Sequence, residues 1–254
     1  MNISRLFDIQ GRKAVVTGAG RGIGRVIALA LAEAGCDVSI VEVNIDDGKK
    51  VADEIESMAR RALAIRADVT KAEEVKEAFA VTASEFGRLD ICVNNAGVAF
   101  HEAAEETPEE HYDQVLDVNL KGVFLCCQEA SKIMIPQKAG SIINIASMSG
   151  TVANFPQKQA AYNASKAAVI LLTKCLAVEW APYGIRVNSL SPGYTRTEMT
   201  ERVAHLVPQW EALIPMNRMA DPKELAGAVI YLASDASSYT TGSDIIVDGG
   251  YTAR

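Results

Sequence analysis

Long apolar runs are missing from this chain. No stretch approaches the ~20 residues a helix needs to cross a bilayer, and the opening MNISRLFDIQGRK lacks the apolar middle of a secretory leader. A cytoplasmic protein with no membrane partner is expected. An excess of positive charge is missing too: 25 Lys and Arg face 32 Asp and Glu, for a formal net charge of −7. The cations are dispersed, without the basic stripe of a nucleic-acid binder, so no nucleic-acid partner is expected. Histidine is scarce, with His101, His111 and His205 scattered and no H-E-x-x-H, which argues for no metal centre. The five cysteines, Cys36, Cys92, Cys126, Cys127 and Cys175, are odd in number and lack C-x-x-C spacing. They read as buried free thiols and not as a disulfide framework.

What is present is a globular balance, 49% hydrophobic and 22% charged over 254 residues. Seven short apolar, β-branched segments recur from end to end: KAVVTG, DVSIVEV, ALAIRADV, DICVNNAG, GSIINIAS, IRVNSLSPG and SDIIVDGG. They are near-continuously apolar, as strands covered on both faces must be. Helical patterns lie between them. Thr70 to Glu73 reads as a capping box, and Thr107-Pro108 and Asp221-Pro222 each as an N-cap followed by a first-turn proline. The acidic run HEAAEETPEEH fits carboxylates at the positive end of a helix dipole. With no linker and no repeat, the pattern predicts a single α/β domain over 1–254, a doubly wound seven-stranded parallel sheet with helices on both faces.

In VVTGAGRGIGRVIALALAEAG a strand, a glycine loop and an amphipathic helix follow one another. Gly18, Gly22 and Gly24 would let backbone amides at the helix start approach a pyrophosphate. Glu42 ends the second strand, where a carboxylate can accept from adenosine ribose hydroxyls and repel a 2′-phosphate. Arg21, inside the loop, could instead pair with a 2′-phosphate. The balance favours NAD, with NADP possible.

These residues resemble the short-chain dehydrogenases/reductases, and the likeness runs the length of the chain. It is carried by TGAGRGIG, Asp68-Val69, Asn94-Asn95-Ala96-Gly97, Asn119, Ser147, the Tyr162-Asn163-Ala164-Ser165-Lys166 run and SPGYTRTEM. The resemblance implies a Rossmann-type fold and hydride transfer between a nicotinamide and a secondary alcohol or ketone. Tyr162 and Lys166, four apart, share a helix face. A free phenol has a pKa of ~10, and an ammonium beside it would lower that value. By resemblance Tyr162 is the general acid/base, Ser147 bonds the same substrate oxygen, Lys166 tunes Tyr162 and holds the nicotinamide ribose, and Asn119 anchors a proton-relay water. Gly18, Arg21, Gly22, Ile23, Gly24, Glu42, Asp68, Val69, Asn95, Ala96, Gly97, Pro192, Gly193, Thr195 and Thr197 are then cofactor-side positions, with Tyr162 and Lys166.

The substrate is expected between the segment from Met148 to Ala161, the loop after Gly97, and a lid at about 194–214. Ser149, Asn154, Gln159 and Tyr194 are the candidate substrate contacts, with Gln157, His101, Phe155 and Trp210 nearby. Such donors and acceptors suit a hydroxylated substrate. The wording of SMSGTVANFPQKQAAYNASKAAV and VDGGYTAR is similar to the family's polyol dehydrogenases. A polyol or ketose substrate is therefore expected, with an NADPH-dependent 3-oxoacyl thioester reductase as the alternative enzyme and a non-catalytic nicotinamide sensor as the alternative of another class. The resemblance also implies a homotetramer, which apolar helix faces around Phe124 and Leu172 would fit.

Overall fold

All seven apolar segments form strands in the computed structural model, which describes residues 3–201 and 203–254. They are β1 (Lys13–Thr17), β2 (Asp37–Glu42), β3 (Ala62–Arg66), β4 (Ile91–Asn94), β5 (Gly140–Ile145), β6 (Ile185–Pro192) and β7 (Asp244–Val247). The sheet is parallel throughout, in the order β3-β2-β1-β4-β5-β6-β7. The order reverses at β1, which lies between β2 and β4, and this opens a crevice at the strand carboxyl ends.

The helices are α1 (Ile3–Leu6), α2 (Gly22–Glu33), α3 (Ile45–Ser57), α4 (Ala72–Phe86), α5 (Glu109–Leu116), α6 (Val123–Gln137), α7 (Ala160–Trp180), α8 (Glu198–Glu201), α9 (Val207–Leu213) and α10 (Ala226–Ala233). A π-helical turn, Asp117–Gly122, joins α5 to α6. Successive strand residues point to opposite faces. Ala14 and Val16 pack with Leu31, Ile55 and Val229 of α2, α3 and α10, whereas Val15 packs with Phe79, Met134 and Val169 of α4, α6 and α7. A third cluster of Met148, Tyr194, Trp210, Ile214, Met219 and Tyr251 joins the segments that follow β5 and β6 to α9.

Local expectations are corrected at four places. No capping box forms at Thr70: its hydroxyl donates to Asp68 Oδ1 (2.8 Å), Lys71 takes the cap position, and Glu74 accepts from the Asp68 amide (2.9 Å). A hydroxyl beside a carboxylate donates to it, because a charged acceptor makes the stronger bond. Thr107 likewise donates to the Ala103 carbonyl (2.9 Å) and leaves Pro108 at the cap of α5. The Asp221 capping box does form, with Pro222 in the first turn of a short 3-10 segment. Leu172 is half-buried against the core, and the large exposed apolar residues of α7 are Leu171 and Val178, at 63% and 78% exposure. Four of the cysteines are buried, while Cys175 stands exposed.

A buried polar ladder pins α7 to the sheet. Asn94 and Asn144 are register partners on β4 and β5. Asn94 Nδ2 donates to Asn144 Oδ1 (2.8 Å), and Asn144 Nδ2 donates to Thr173 Oγ1 (2.9 Å). Thr173 lies seven residues after Lys166, two turns along the same helix face. Replacing Thr173 by Val strands a buried amide hydrogen, so a loss of about 1–3 kcal/mol is expected in urea denaturation. Thr173→Ser should keep most of that stability.

Candidate active site

The loop from β1 into α2 fits a pyrophosphate by what it leaves out. Gly18 sits at φ +62°, and a Cβ on it would stand 2.8 Å from the Ala96 backbone. A Cβ on Gly24 would stand 2.3 Å from both the Gly18 carbonyl oxygen and Asn95 Nδ2. Asn95 closes this contact by donating to the carbonyls of Thr17 (3.1 Å) and Gly18 (2.9 Å), and the Asn95 and Ala96 amides bond Thr17 Oγ1 (3.1 and 3.2 Å). The result is a loop whose backbone a diphosphate can approach closely, at the start of a 12-residue helix.

Of the other positions expected on the cofactor side, Glu42 and Thr197 meet that loop directly. Glu42 Oε2 accepts from the Gly20 amide (2.9 Å), which holds the carboxylate against the glycine loop. Arg21 turns away, 3.9 Å from Glu198 of α8, with both side chains more than half exposed. Ile23 packs against the core beneath α2. Thr197 faces Gly22, its Cγ2 3.8 Å from where a Cβ would stand. Thr195 Oγ1 donates to the Gly193 carbonyl (3.0 Å), and Pro192 is the last residue of β6, opposite Val247. Val69 packs on Gly122 of the π-turn, and Asp68 is engaged by Thr70.

Asn119, Ser147, Tyr162 and Lys166 converge beside Gly97. A Cβ on Gly97 would stand 3.4 Å from Asn119 Oδ1 and 3.7 Å from Lys166 Nζ. Asn119 is fully buried in the π-turn, accepting from the Val98 amide (2.8 Å) and donating to the Val98 carbonyl (2.9 Å) and Ser165 Oγ (3.1 Å). Lys166 Nζ donates to the Ile145 carbonyl (2.8 Å) and lies 5.6 Å from the centre of the Tyr162 ring. Ser147 accepts from the Ser149 amide (3.1 Å) and interacts with the Tyr162 phenol. Thr17, Ile145 and Ser165 escaped the sequence reading as site residues because they act through backbone or second partners. All three lay within quoted segments, Thr17 in TGAGRGIG, Ile145 in GSIINIAS and Ser165 in the run from Tyr162 to Lys166, but none carried a role there.

A family model described as enoyl-(acyl carrier protein) reductase matches residues 18–252. The chain is 43% identical over 253 residues to a "Probable NADP-dependent mannitol dehydrogenase" of Yarrowia lipolytica, covering 98% of this chain and 91% of that one. It is 40% identical over 250 residues to an NAD-dependent glycerol dehydrogenase of Listeria innocua, covering 98% and 96%. A crystal structure of a short-chain type dehydrogenase/reductase from Mycobacterium marinum superimposes with a TM-score of 0.98 at 48% identity, both chains covered in full. The chain belongs to the short-chain dehydrogenase/reductase family. It is accordingly a nicotinamide-dependent oxidoreductase.

In this member of the family the Tyr162–Lys166 pair departs from the simple expectation of a lowered phenol. Burial pushes the Tyr162 phenol up, and the Ser147 hydroxyl works against it. Burial also pushes the Lys166 ammonium down, to about 8. Desolvation penalises each charged form and is the largest cause of both shifts. In the unfolded chain Lys titrates near ~10.4. Between pH 8 and ~10.4 the unfolded chain therefore holds a proton that the folded one has lost, and stability rises with pH. Below that window both forms are protonated and the burial cost, about 3 kcal/mol, is felt in full. Tyr162 acts with the opposite sign above ~10, where its folded phenol keeps the proton longer. Lys166→Met is expected to flatten the rise in denaturation free energy above pH 8.

The segment between β5 and α7 forms an amide-rich wall. Gln159 Nε2 lies within hydrogen-bond distance of Ser149 Oγ (3.3 Å), Asn154 Oδ1 (3.1 Å) and Asn163 Oδ1 (2.9 Å). Asn154 Nδ2 reaches the Tyr194 hydroxyl (3.4 Å), which also accepts from Gln157 Nε2 (2.8 Å). The Tyr194 ring stacks on Trp210 at 4.4 Å and meets Tyr251 edge-on at 5.5 Å. Burial pushes the Tyr194 phenol up to about 12. The four candidate substrate residues are thus brought together, but Tyr194 spends its hydroxyl on protein partners. Phe155, at 69% exposure, points to solvent.

Proposed function

We propose that this protein oxidises a secondary hydroxyl of a sugar alcohol to the ketose, and reduces the ketose, with NAD as its cofactor. The observation that carries the reading is the unbroken run of contacts from the glycine cradle through Ala96 and Gly97 to Lys166, Tyr162 and Ser147, and from Ser147 through Ser149 to Gln159 and Asn154. When bound, the nicotinamide supplies the hydride acceptor or donor.

Tyr162 holds and moves the proton at the reacting oxygen, and Ser147 donates a hydrogen bond to that oxygen as its charge changes. Lys166, charged below about 8, orients toward the nicotinamide ribose, and its charge favours the phenolate against the cost of burial. Asn119 fixes Val98 and Ser165 and thereby the floor between Gly97 and α7. Asp68 and Val69 take the adenine side, Asn95, Ala96 and Gly97 the ribose wall, and Pro192, Gly193, Thr195 and Thr197 the nicotinamide side. The segment at about 194–214 serves as the lid. NAD is favoured because Glu42 stands at the adenosine end and Arg21 leans toward Glu198.

The polyol reading is supported by the clustered neutral amides and hydroxyls, each able to donate to or accept from a substrate hydroxyl. The names of the relatives, a mannitol and a glycerol dehydrogenase, agree with it. The description of the matching family model favours a second reading, reduction of an acyl thioester. Purified protein is to be assayed by nicotinamide absorbance with NAD and NADP against C4–C6 polyols, the matching ketoses and a 3-oxoacyl thioester. Turnover of polyols with NAD is expected, and turnover of the thioester alone with NADPH would overturn the proposal.

A homotetramer working in carbohydrate metabolism in the cytoplasm completes the reading. Exposed Phe124 on α6 and Leu171 and Val178 on α7 supply apolar surface for self-association. The free cysteines suit a reducing compartment.

A further inference from the structure

We propose that Gln157 is a positioning residue, a latch that holds the substrate loop against the lid. Gln157 is 8% exposed and lies in the loop between β5 and α7, yet it bonds two residues far along the chain. Its Nε2 donates to the Tyr194 hydroxyl (2.8 Å), and its Oε1 accepts from Trp210 Nε1 (2.9 Å) and stands 3.1 Å from the Tyr194 hydroxyl. Trp210 lies on α9 at 1% exposure, and its indole N–H is a donor only, so burial obliges it to find an acceptor. One amide therefore closes both polar edges of the Tyr194–Trp210 stack.

The consequence for substrate recognition follows from capacity. Gln157 has both ends of its amide committed to the protein, so it does not read the substrate. Asn154 and Gln159, on the same loop, are placed by it. Asn154 Nδ2 approaches the Tyr194 hydroxyl that Gln157 holds, and Gln159 contacts Asn154. Releasing the latch frees the loop from α9 and disperses the groups that would meet substrate hydroxyls. The glycine cradle, in the turn from β1 into α2, shares none of these bonds.

The effect on turnover rests on the polyol reading above; the latch itself does not. Gln157→Leu keeps the bulk and removes both bonds. It should raise KM for the polyol roughly tenfold, the loss of one well-made hydrogen bond, with kcat little changed and the Kd for NAD unaltered by fluorescence titration. Hydrogen exchange without substrate should speed up in residues 148–159 and 203–214. Trp210→Phe, which keeps the stacked ring but drops the N–H, should shift KM and exchange in the same direction by less, and the two changes should be non-additive. If Gln157→Leu does not fold, the Trp210→Phe arm decides. Unchanged exchange in both segments overturns the latch, as does a joint fall in kcat and NAD affinity. A wild-type enzyme inert toward every polyol would sink the substrate reading alone, because the exchange experiment needs no substrate.

Discussion

Tyr162→Phe is expected to lower kcat by roughly 10²–10⁴-fold in either direction while NAD affinity stays at the wild-type value. The substitution removes one oxygen from a residue packed beside Lys166 and Ser147 and leaves the ring to fill its place. The glycine cradle at Gly18 and Gly24 and the Asn95 bonds that close it do not involve the phenol. Binding and proton transfer should therefore separate cleanly. In the variant, Ser147 still donates to the reacting oxygen, but no group remains to carry the proton away. The measurement is steady-state turnover beside a fluorescence titration with NAD. Turnover surviving unchanged would show that another group moves the proton, and nucleotide affinity lost along with turnover would show that the ring itself shapes the cofactor site. A non-catalytic sensor would show no turnover in the wild type either.

The fold was legible in the sequence because the inner strands are buried on both faces and the edge strands β3 and β7 are covered in part, which writes an apolar run bounded by helical patterns. The site was legible where chemistry and spacing coincide. Tyr162 and Lys166 are four apart on one face, and the glycines lie between a strand and a helix. What escaped depends on which of two partners a group chooses. Thr70 and Thr107 donate to a carboxylate and a carbonyl and do not cap. Tyr194 turns its hydroxyl to Gln157, and the phase of α7 half-buries Leu172 against the core and exposes Leu171. The sign of the Tyr162 shift escaped for a related reason. Two opposed effects act on the phenol, and only the depth of the site decides that desolvation outweighs the Ser147 hydrogen bond.

Glu42→Gln is expected to raise kcat/KM with NADP relative to NAD by about 10- to 100-fold. The carboxylate lies at the end of β2 with Oε2 on the Gly20 amide and Oε1 3.3 Å from the Asn44 amide. Asp47 crowds the same spot, its Cβ 2.9 Å from where a Gly20 side chain would begin. A 2′-phosphate carries roughly −1.5 to −2 at neutral pH. A unit pair 4 Å apart repels by about 1 kcal/mol in water and about 4 kcal/mol near a protein surface, so one neutralised carboxylate is worth at least an order of magnitude. Asp47 keeps its charge in the variant, which limits the switch. The amide oxygen of Gln can still accept from Gly20, so the loop should keep its shape and NAD binding should weaken only by the lost charge-assisted bond. Adding Arg21→Ala tests the opposing cation: because Arg21 leans toward Glu198, its removal should change the NADP:NAD ratio little. A wild type that already prefers NADP, or a ratio unmoved by Glu42→Gln, would show that the carboxylate does not face the ribose.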